Sequence, residues 1–209
     1  MHMLAAFSFN DLMDRGGVVM WPLLVLSVIA VTLILERTWF YVSTNGPARR
    51  ERIYQLGKLL RGGRFDEARK DAKRDRSVYG HAVSQLLEET PSESAAVDAV
   101  ESQRARLERF LPMLSTIITA APMLGILGTV IGIIGAFNEL SGDRADLDLG
   151  NLGGDIGEAL ITTAAGITVA LLTLLPYNLF RAQADRSLSR LESLVAAALS
   201  RGGDTVSEK

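Results

Sequence analysis

Three long stretches of the chain contain no charged residue, at 18–35, 111–137 and 159–180, and polar segments separate them. A helix needs about 20 predominantly apolar residues to cross the ~30 Å hydrocarbon core of a bilayer. These stretches meet or approach that length. The pattern therefore predicts an all-α, multi-pass membrane protein with three transmembrane helices, at 18–35, 111–137 and 158–180, extended by long cytoplasmic helices.

The first stretch lies close to the amino terminus, where a cleaved signal peptide is the competing interpretation. Asp11 and Asp14 precede it instead of a basic cluster, and it is longer than the apolar core of a typical signal. Charged and aromatic residues follow it at 36–41, as expected of an interfacial anchor. We therefore predict that residues 18–35 form a retained first transmembrane helix.

The distribution of arginines predicts the orientation of the spans. Segments 36–110 and 181–209 carry several arginines beside the apolar stretches, whereas 1–17 and 138–157 carry one each. The positive-inside rule places the arginine-rich segments in the cytoplasm. We predict an external amino-terminal segment (1–17), a cytoplasmic helical region (36–110), a short external hairpin (138–157) and a cytoplasmic carboxyl-terminal helix and tail (181–209).

The polar segment between the first and second spans also has a helical pattern. Apolar spacing and turn residues predict short helices there, at 49–60, 66–74 and 79–88. A longer helix is predicted to begin at Glu93 and to continue directly into the second span, with Pro112 and Pro122 kinking or locally loosening it. Beyond the third span, an apolar stripe predicts that the helix extends to just before Gly202-Gly203.

The second and third spans are rich in small and hydroxyl-bearing residues. Small residues allow helices to approach closely in a membrane, and hydroxyl groups suit a path for a small polar species. For each glycine, tight packing is a sufficient explanation. We predict helix packing at Gly125, Gly128, Gly132, Gly135 and Gly166.

Glu158 is the single acid at the entrance of the third span. A carboxylate in the first turn is stabilised by the positive end of the helix, but ionisable groups at membrane helices are also candidates for function. At about 100° per residue, Thr162 and Thr173 lie within about 60° of Glu158 around the helix axis. Thr163 lies farther round. This band of polar side chains predicts a proton path that includes Glu158, Thr162 and Thr163.

Thr129 is the only hydroxyl-bearing residue between Ala120 and Phe137. Two interpretations are open for it. Its hydroxyl can bond the carbonyl one turn back, as buried threonines often do. Alternatively, it contributes to the same proton path.

The overall composition excludes several other functions. Lysine and arginine number 22 against 24 acidic residues, so no strong positive field indicates nucleic-acid binding. Cysteine is absent, and the two histidines, His2 and His81, are far apart, so neither a metal centre nor thiol chemistry is expected. No phosphate-binding loop or nucleophilic triad can be assembled. We predict no cofactor and no enzymatic activity.

Two motifs indicate a family. APMLGILGTVIGIIGAF at 121–137 and GEALITTAAGITVALLTLLPYN at 157–178 resemble the MotA/TolQ/ExbB proton-channel family, closest to its ExbB and TolQ branch. Leu35-Glu36-Arg37 at the end of the first span is also similar to that family. The resemblance covers essentially the whole chain.

The resemblance implies an architecture and a set of partners. It implies a three-span subunit of the bacterial inner membrane, with a periplasmic amino terminus and a cytoplasmic carboxyl terminus, that forms a homopentamer. The pore would enclose a dimeric, single-span ExbD- or TolR-like partner that brings a membrane aspartate. Proton flow would energise a TonB- or TolA-like protein. By motif, Thr129 and Thr163 would face the pore, and Glu158 would match the glutamate of the family.

Two departures from the family are expected, a short amino-terminal extension and a shifted proline in the third span, and three alternatives remain. Many ExbB-like sequences have a proline where this chain has Leu172, whereas Pro176 lies one turn later. A MotA-like flagellar or gliding stator is disfavoured because such proteins usually have four spans. A non-conducting membrane scaffold remains an alternative. An independent solute transporter would be expected to show an internal repeat, and the sequence shows none. The choice among iron or vitamin uptake, envelope maintenance and a specialised system is also open.

Overall fold

The computed structural model describes residues 17–44, 46–88, 92–141 and 149–206. These residues form helices and no strand, which confirms the all-α prediction. The helices are α1 (Met20–Thr44), α2 (Pro47–Arg61), α3 (Phe65–Arg74), α4 (Val78–Leu86), α5 (Glu93–Leu107), α6 (Leu111–Ser141) and α7 (Leu149–Val206).

Among the described residues, three segments are long and apolar enough to cross a membrane: Met20–Thr44, Leu111–Asn138 and Ile156–Ser200. They coincide with α1, most of α6 and much of α7. The first sixteen residues and 142–148, parts of the predicted external segments, lie outside the described residues. Helical backbone extends into the predicted hairpin from both sides, because α6 continues to Ser141 and α7 begins at Leu149.

The spatial contacts between residues divide the chain into two compact units. The span unit comprises Met1–Leu35 and Pro112–Tyr177, and the polar unit comprises Glu36–Leu111 and Asn178–Lys209. In the span unit, a small apolar cluster joins the start of α1 to α6 and α7. Its members are Val19, Met20, Leu23 and Ala121, with Leu124, Ala165 and Val169 packed against them.

Many large apolar side chains of the span unit remain exposed. Leu160, Leu171 and Leu175 on α7 and Met123 and Ile126 on α6 are all more than half exposed. A water-soluble monomer rarely leaves such a continuous apolar surface uncovered. Lipid or neighbouring subunits must therefore cover these faces.

The polar unit contains the short helices α2 to α5, and each of them packs against the next along the chain. The predicted helices at 49–60, 66–74 and 79–88 are confirmed as α2, α3 and α4. Hydroxyl side chains cap two helix starts: Ser77 accepts from the backbone N–H of Gly80, and Ser92 accepts from that of Ala95. Each cap satisfies a donor that the helix itself leaves unpaired.

The predicted uninterrupted helix from Glu93 into the second span is wrong. Helix α5 ends at Leu107, and Phe110 adopts a left-handed backbone conformation with φ of 69° before α6 begins. Hydrogen bonds from α1 hold the end of α5, and the break is also favoured by Pro112. Its ring would collide with the carbonyl one turn back in a continuing helix, whereas in the first turn of a new helix its missing N–H costs nothing.

Side chains of α1 satisfy the carbonyl groups left free where α5 ends. Tyr41 donates its hydroxyl to the Leu107 carbonyl at 2.8 Å, and Arg37 Nη1 donates to the Arg106 carbonyl at 3.2 Å. Both side chains are only 2% exposed. The Arg37 guanidinium also lies over the ring of Phe110, 5.2 Å from its centroid. Hydrogen bonds from α1 thus hold the end of α5 within the polar unit.

The predicted end of the last helix before Gly202-Gly203 is also wrong, because α7 continues to Val206. Glycine inside a helix costs only about 1 kcal/mol relative to alanine, so it weakens a helix without ending it. Pro122 and Pro176 likewise lie inside α6 and α7 without ending either helix.

Candidate functional site

Helices α6 and α7 touch along a seam lined by glycine. A Cβ atom added to Gly125 would lie 2.9 Å from the Cα of Thr163, and one added to Gly128 would lie 2.5 Å from the Thr162 hydroxyl oxygen. On the opposite helix, a Cβ at Gly166 would collide with the carbonyl oxygen of Ala121. No side chain fits at these three positions without displacing a neighbour. We call this contact the glycine seam.

The two other glycines proposed for packing are less enclosed. Gly132 and Gly135 are half-buried, whereas Gly125, Gly128 and Gly166 are buried. The tightest contact between α6 and α7 therefore lies in the part of α6 that contains Gly125 and Gly128.

Thr163 joins the two helices by a hydrogen bond. Its hydroxyl donates to the carbonyl oxygen of Gly125 at 2.8 Å, and the side chain is half-buried. This is possible because a backbone carbonyl has two lone pairs, only one of which the helix uses. The threonine hydroxyl keeps its own lone pairs, so it can still accept a hydrogen bond from another group.

Thr162 faces the inside of the glycine seam. It is only 2% exposed, and its hydroxyl donates to the Ala159 carbonyl at 2.7 Å while its side chain fills the space beside Gly128. Thr173 is equally buried and donates to the Val169 carbonyl at 2.7 Å. A part for Thr162 in proton transfer stays a prediction.

Thr129 is half-buried and bonds its own helix. Its hydroxyl donates to the Ile126 carbonyl at 2.6 Å. Thr116 and Thr119, nearer the start of α6, donate to the carbonyls of Pro112 and Thr116 at 3.0 and 2.9 Å. In each case the hydroxyl hydrogen is engaged and the oxygen lone pairs remain as acceptors.

Glu158 is half-buried in the span unit, and the start of the first span lies against it. Its carboxylate occupies the space that a Cβ would need at Gly17, which itself adopts a left-handed conformation. Two of these contacts were missed at the level of sequence: that of Gly17 with Glu158, and that of Ala121 with Gly166. Gly17 belongs to no motif, and Ala121 begins the first family motif without any property that distinguishes it as a contact residue.

The span unit thus places acceptor oxygens on the charge-free stretches of α6 and α7. Within the described part of the chain, no group of three or more His, Cys, Asp or Glu side chains could hold a metal ion. The seam and its threonines can solvate a proton-carrying group by hydrogen bonds. They hold no permanent charge that would retain one.

A family model for the MotA/TolQ/ExbB proton channel family matches residues 72–193, which include the whole glycine seam and all four threonine and glutamate candidates. This chain belongs to that family. The resemblance seen in the sequence is therefore confirmed, and the chain is a membrane subunit of proton-channel type.

Curated relatives agree with the family assignment. The putative biopolymer transport protein ExbB-like 1 of Synechocystis sp. is 36% identical over 179 residues, which cover 78% of this chain and 67% of the relative. The biopolymer transport protein exbB1 of Vibrio cholerae is 28% identical over 88% of this chain and 84% of its own. The Tol-Pal system protein TolQ of Pseudomonas aeruginosa is 34% identical over a shorter match, 44% of this chain and 39% of its own.

Proposed function

We propose that this chain is the channel-forming stator subunit of an inner-membrane complex that converts proton motive force into work, as in ExbB and TolQ systems. It would act with a single-span ExbD- or TolR-like partner to energise a TonB- or TolA-like protein, for outer-membrane transport or envelope maintenance. The names of the relatives support this proposal, since they include biopolymer transport proteins and Tol-Pal system proteins. The observation that carries it is the uncharged, hydroxyl-bearing seam of α6 and α7.

A proton carrier must come from outside the spans of this chain. Apart from Glu158 at the edge, 111–137 and 158–180 contain no Asp, Glu, His, Lys or Arg. Side chains that stay uncharged cannot store a proton during transfer across the bilayer core. A membrane aspartate on a partner helix would supply the missing group.

The threonine hydroxyls suit that aspartate in its protonated form. A charged carboxylate at the bilayer centre costs at least about 3 kcal/mol, so the acid would cross the core neutral. Thr129 and Thr163 engage their hydrogens with backbone carbonyls and present acceptor lone pairs, which match the O–H of a carboxylic acid. A lysine or arginine there would instead trap the deprotonated form.

A closed pore requires several copies of the chain around the partner helices. The exposed apolar faces of α6 and α7 are consistent with contacts to neighbouring subunits and lipid. We infer a homopentamer with a periplasmic amino terminus and a cytoplasmic carboxyl terminus. Three candidate spans among the described residues favour the ExbB/TolQ branch over a MotA-like flagellar or gliding stator.

Proton flux into vesicles tests the channel. Vesicles containing this chain with a one-span aspartate protein encoded beside it should take up protons under an imposed potential. Vesicles containing this chain alone, or a partner whose aspartate is changed to asparagine, should not. Equal flux in all three preparations would exclude the shared-acid mechanism, and no flux in any of them would favour a non-conducting scaffold.

Glu158 is tested in the same vesicles. Glu158→Ala should abolish flux while the complex still assembles. Glu158→Gln keeps the size of the side chain and removes its acidity, so it separates two roles. We expect Gln to be as inactive as Ala if Glu158 passes protons; wild-type flux in the Gln variant would leave only a structural role.

A further inference from the structure

The turn that begins the first span is built around a glycine. Gly17 has a φ of 60°, a left-handed conformation that side-chain-bearing residues rarely adopt, and its carbonyl accepts a hydrogen bond from Met20 N–H at 3.1 Å. This bond closes the turn that leads into α1. Backbone conformation alone therefore favours glycine at this position.

A second constraint at Gly17 comes from Glu158. The space that a Cβ would occupy is filled by the end of the Glu158 side chain: Oε1 would collide with it, and Cδ would lie only 3.1 Å away. Glu158 Cγ would lie 3.7 Å away, an ordinary contact. Only the carboxylate itself therefore conflicts with a side chain at position 17.

The residues that follow Gly17 hold its backbone in place. Val19, Met20 and Leu23, which follow the turn, belong to the apolar cluster that packs against α6 and α7. The turn cannot move away from Glu158 without disturbing that cluster. Any side chain at position 17 would thus have to push the carboxylate out of its position.

Gly63 provides an internal comparison. It has nearly the same backbone conformation, with φ of 69°, yet nothing lies within 4 Å of the place where its Cβ would be. Substitution at Gly63 would therefore incur only the conformational cost. Substitution at Gly17 would incur that cost and displace Glu158.

We propose that Gly17 is a positioning residue for Glu158: the backbone of the turn before α1, which has no side chain at Gly17, holds the carboxylate at the outer end of the third span. The consequence for proton transfer rests on the proposed function of Glu158. The position of the acid is thus set by an element of the first span as well as by α7. The first span then has a part in the proton path although it supplies no polar side chain there.

The contact is tested by thermal unfolding of the purified full-length protein in detergent. Gly63→Ala should lower Tm by a few degrees, about 2–4 °C for each kcal/mol of lost stability. Gly17→Ala should lower it by a small further amount, since the end of a flexible side chain moves at low cost, and the excess should disappear in a Glu158→Ala background, where no carboxylate remains to be displaced. An excess that persists in that background would overturn the proposal.

Two further variants separate crowding from loss of charge. In the Gly17→Ala protein, Glu158→Asp removes one methylene and should recover most of the excess loss in Tm. Glu158→Gln has the same length as glutamate and should recover none of it. Recovery by Gln but not by Asp would contradict the proposal. If Gly17→Ala alone does not assemble, assembly restored by Glu158→Asp supports the contact, and no restoration refutes it.

An infrared measurement reports on the carboxyl group directly. The carboxyl stretching band of Glu158 is identified as the band that is lost in Glu158→Gln. This band should shift in Gly17→Ala and remain in place in Gly63→Ala, because only the first substitution moves the acid. An unshifted band in Gly17→Ala would refute the positioning role.

The two proposals fail in different ways. Normal proton flux in Glu158→Ala would remove Glu158 from the channel mechanism and leave the unfolding and infrared results on Gly17 intact. An absent coupling between positions 17 and 158 would remove the positioning role and leave the channel proposal intact.

Discussion

The hydroxyl group of Thr163 differs from the others in the spans because it bonds a different helix. Thr129, Thr162, Thr168 and Thr173 all donate to carbonyls of their own helix. Thr163 instead donates to the Gly125 carbonyl of α6. A single threonine thus stabilises the glycine seam and keeps acceptor lone pairs, which in the proposed channel would bond a proton carrier.

Thr163→Val tests this double role. Valine keeps the shape of threonine and removes the hydroxyl, so the loss of stability should be small, about 0.6–1.7 kcal/mol as for other hydrogen bonds between membrane helices. Proton flux of the complex with its partner should nevertheless be abolished. Unfolding in detergent and flux in vesicles measure the two effects.

Thr168→Val is the matched control for Thr163. Thr168 lies on the same helix, is exposed, and donates to the Ala164 carbonyl at 2.7 Å without reaching another helix. Its valine variant should retain flux close to that of the wild type. Equal flux in the Thr163→Val and Thr168→Val proteins would remove the specific role of Thr163.

At the scale of elements, glycine lets α6 and α7 approach until side chains of one helix touch the backbone of the other. Such contacts supply much of the association energy of helices in a membrane, where the hydrophobic effect between them is absent. Gly153, elsewhere in α7, has open surroundings, because nothing lies within 4 Å of a Cβ at this position. Substitution of glycine by alanine should therefore lower the stability of the protein at the glycine seam and raise it where the surroundings are open.

Gly128→Ala should destabilise the protein and Gly153→Ala should not. The added methyl at Gly128 meets the buried Thr162 side chain, and overpacking of this kind typically costs about 1–3 kcal/mol. At the exposed Gly153, alanine should stabilise the helix by up to about 1 kcal/mol. The free energy of unfolding in detergent measures both, and a loss of equal size at the two positions would contradict the packing argument.

Helix α1 also stabilises the end of α5 through Tyr41. Tyr41→Phe removes the donor to the buried Leu107 carbonyl and should cost about 1 kcal/mol of unfolding free energy. Tyr54→Phe is the control, since Tyr54 is 65% exposed. A change at position 41 no greater than that at position 54 would show that the hydrogen bond contributes nothing.

At the scale of the whole molecule, the chain is a membrane subunit whose orientation is a prediction from the distribution of its arginines. The absence of cysteine makes this testable, because introduced thiols have no competitor in the chain. Gly153, in the predicted external hairpin, and Ser94, in the predicted cytoplasmic region, are both exposed.

A membrane-impermeant maleimide applied to intact cells with a permeable outer membrane should label Gly153→Cys and leave Ser94→Cys unlabelled. Both should react after the inner membrane is opened, because both side chains are exposed in the structure. Labelling of Ser94→Cys alone in intact cells would reverse the orientation.

The limits of prediction from sequence are clearest at particular residues. Pro112 predicted a kink in this helix but not its end before Phe110, because the periodicity on either side is helical. The bonds from Arg37 and Tyr41 that hold the end of α5 come from a distant part of the sequence. Thr162 and Thr163 are adjacent in sequence and chemically identical. Nothing in the neighbouring sequence indicates that Thr162 fills the space beside Gly128 whereas Thr163 bonds the opposite helix.

The sequence by itself determined the class of the protein, the number of apolar spans among the described residues, and the family, because charge-free length and short motifs are local properties. It also marked Glu158, since a lone acid at the edge of a span is visible without a fold. The tertiary structure decided which atoms meet: Thr163 with the Gly125 carbonyl, Thr162 with Gly128, and Glu158 with Gly17. Helical periodicity gives the direction of a side chain around the axis of its helix. Which residue it contacts on another helix depends on how closely the two helices approach and in what register.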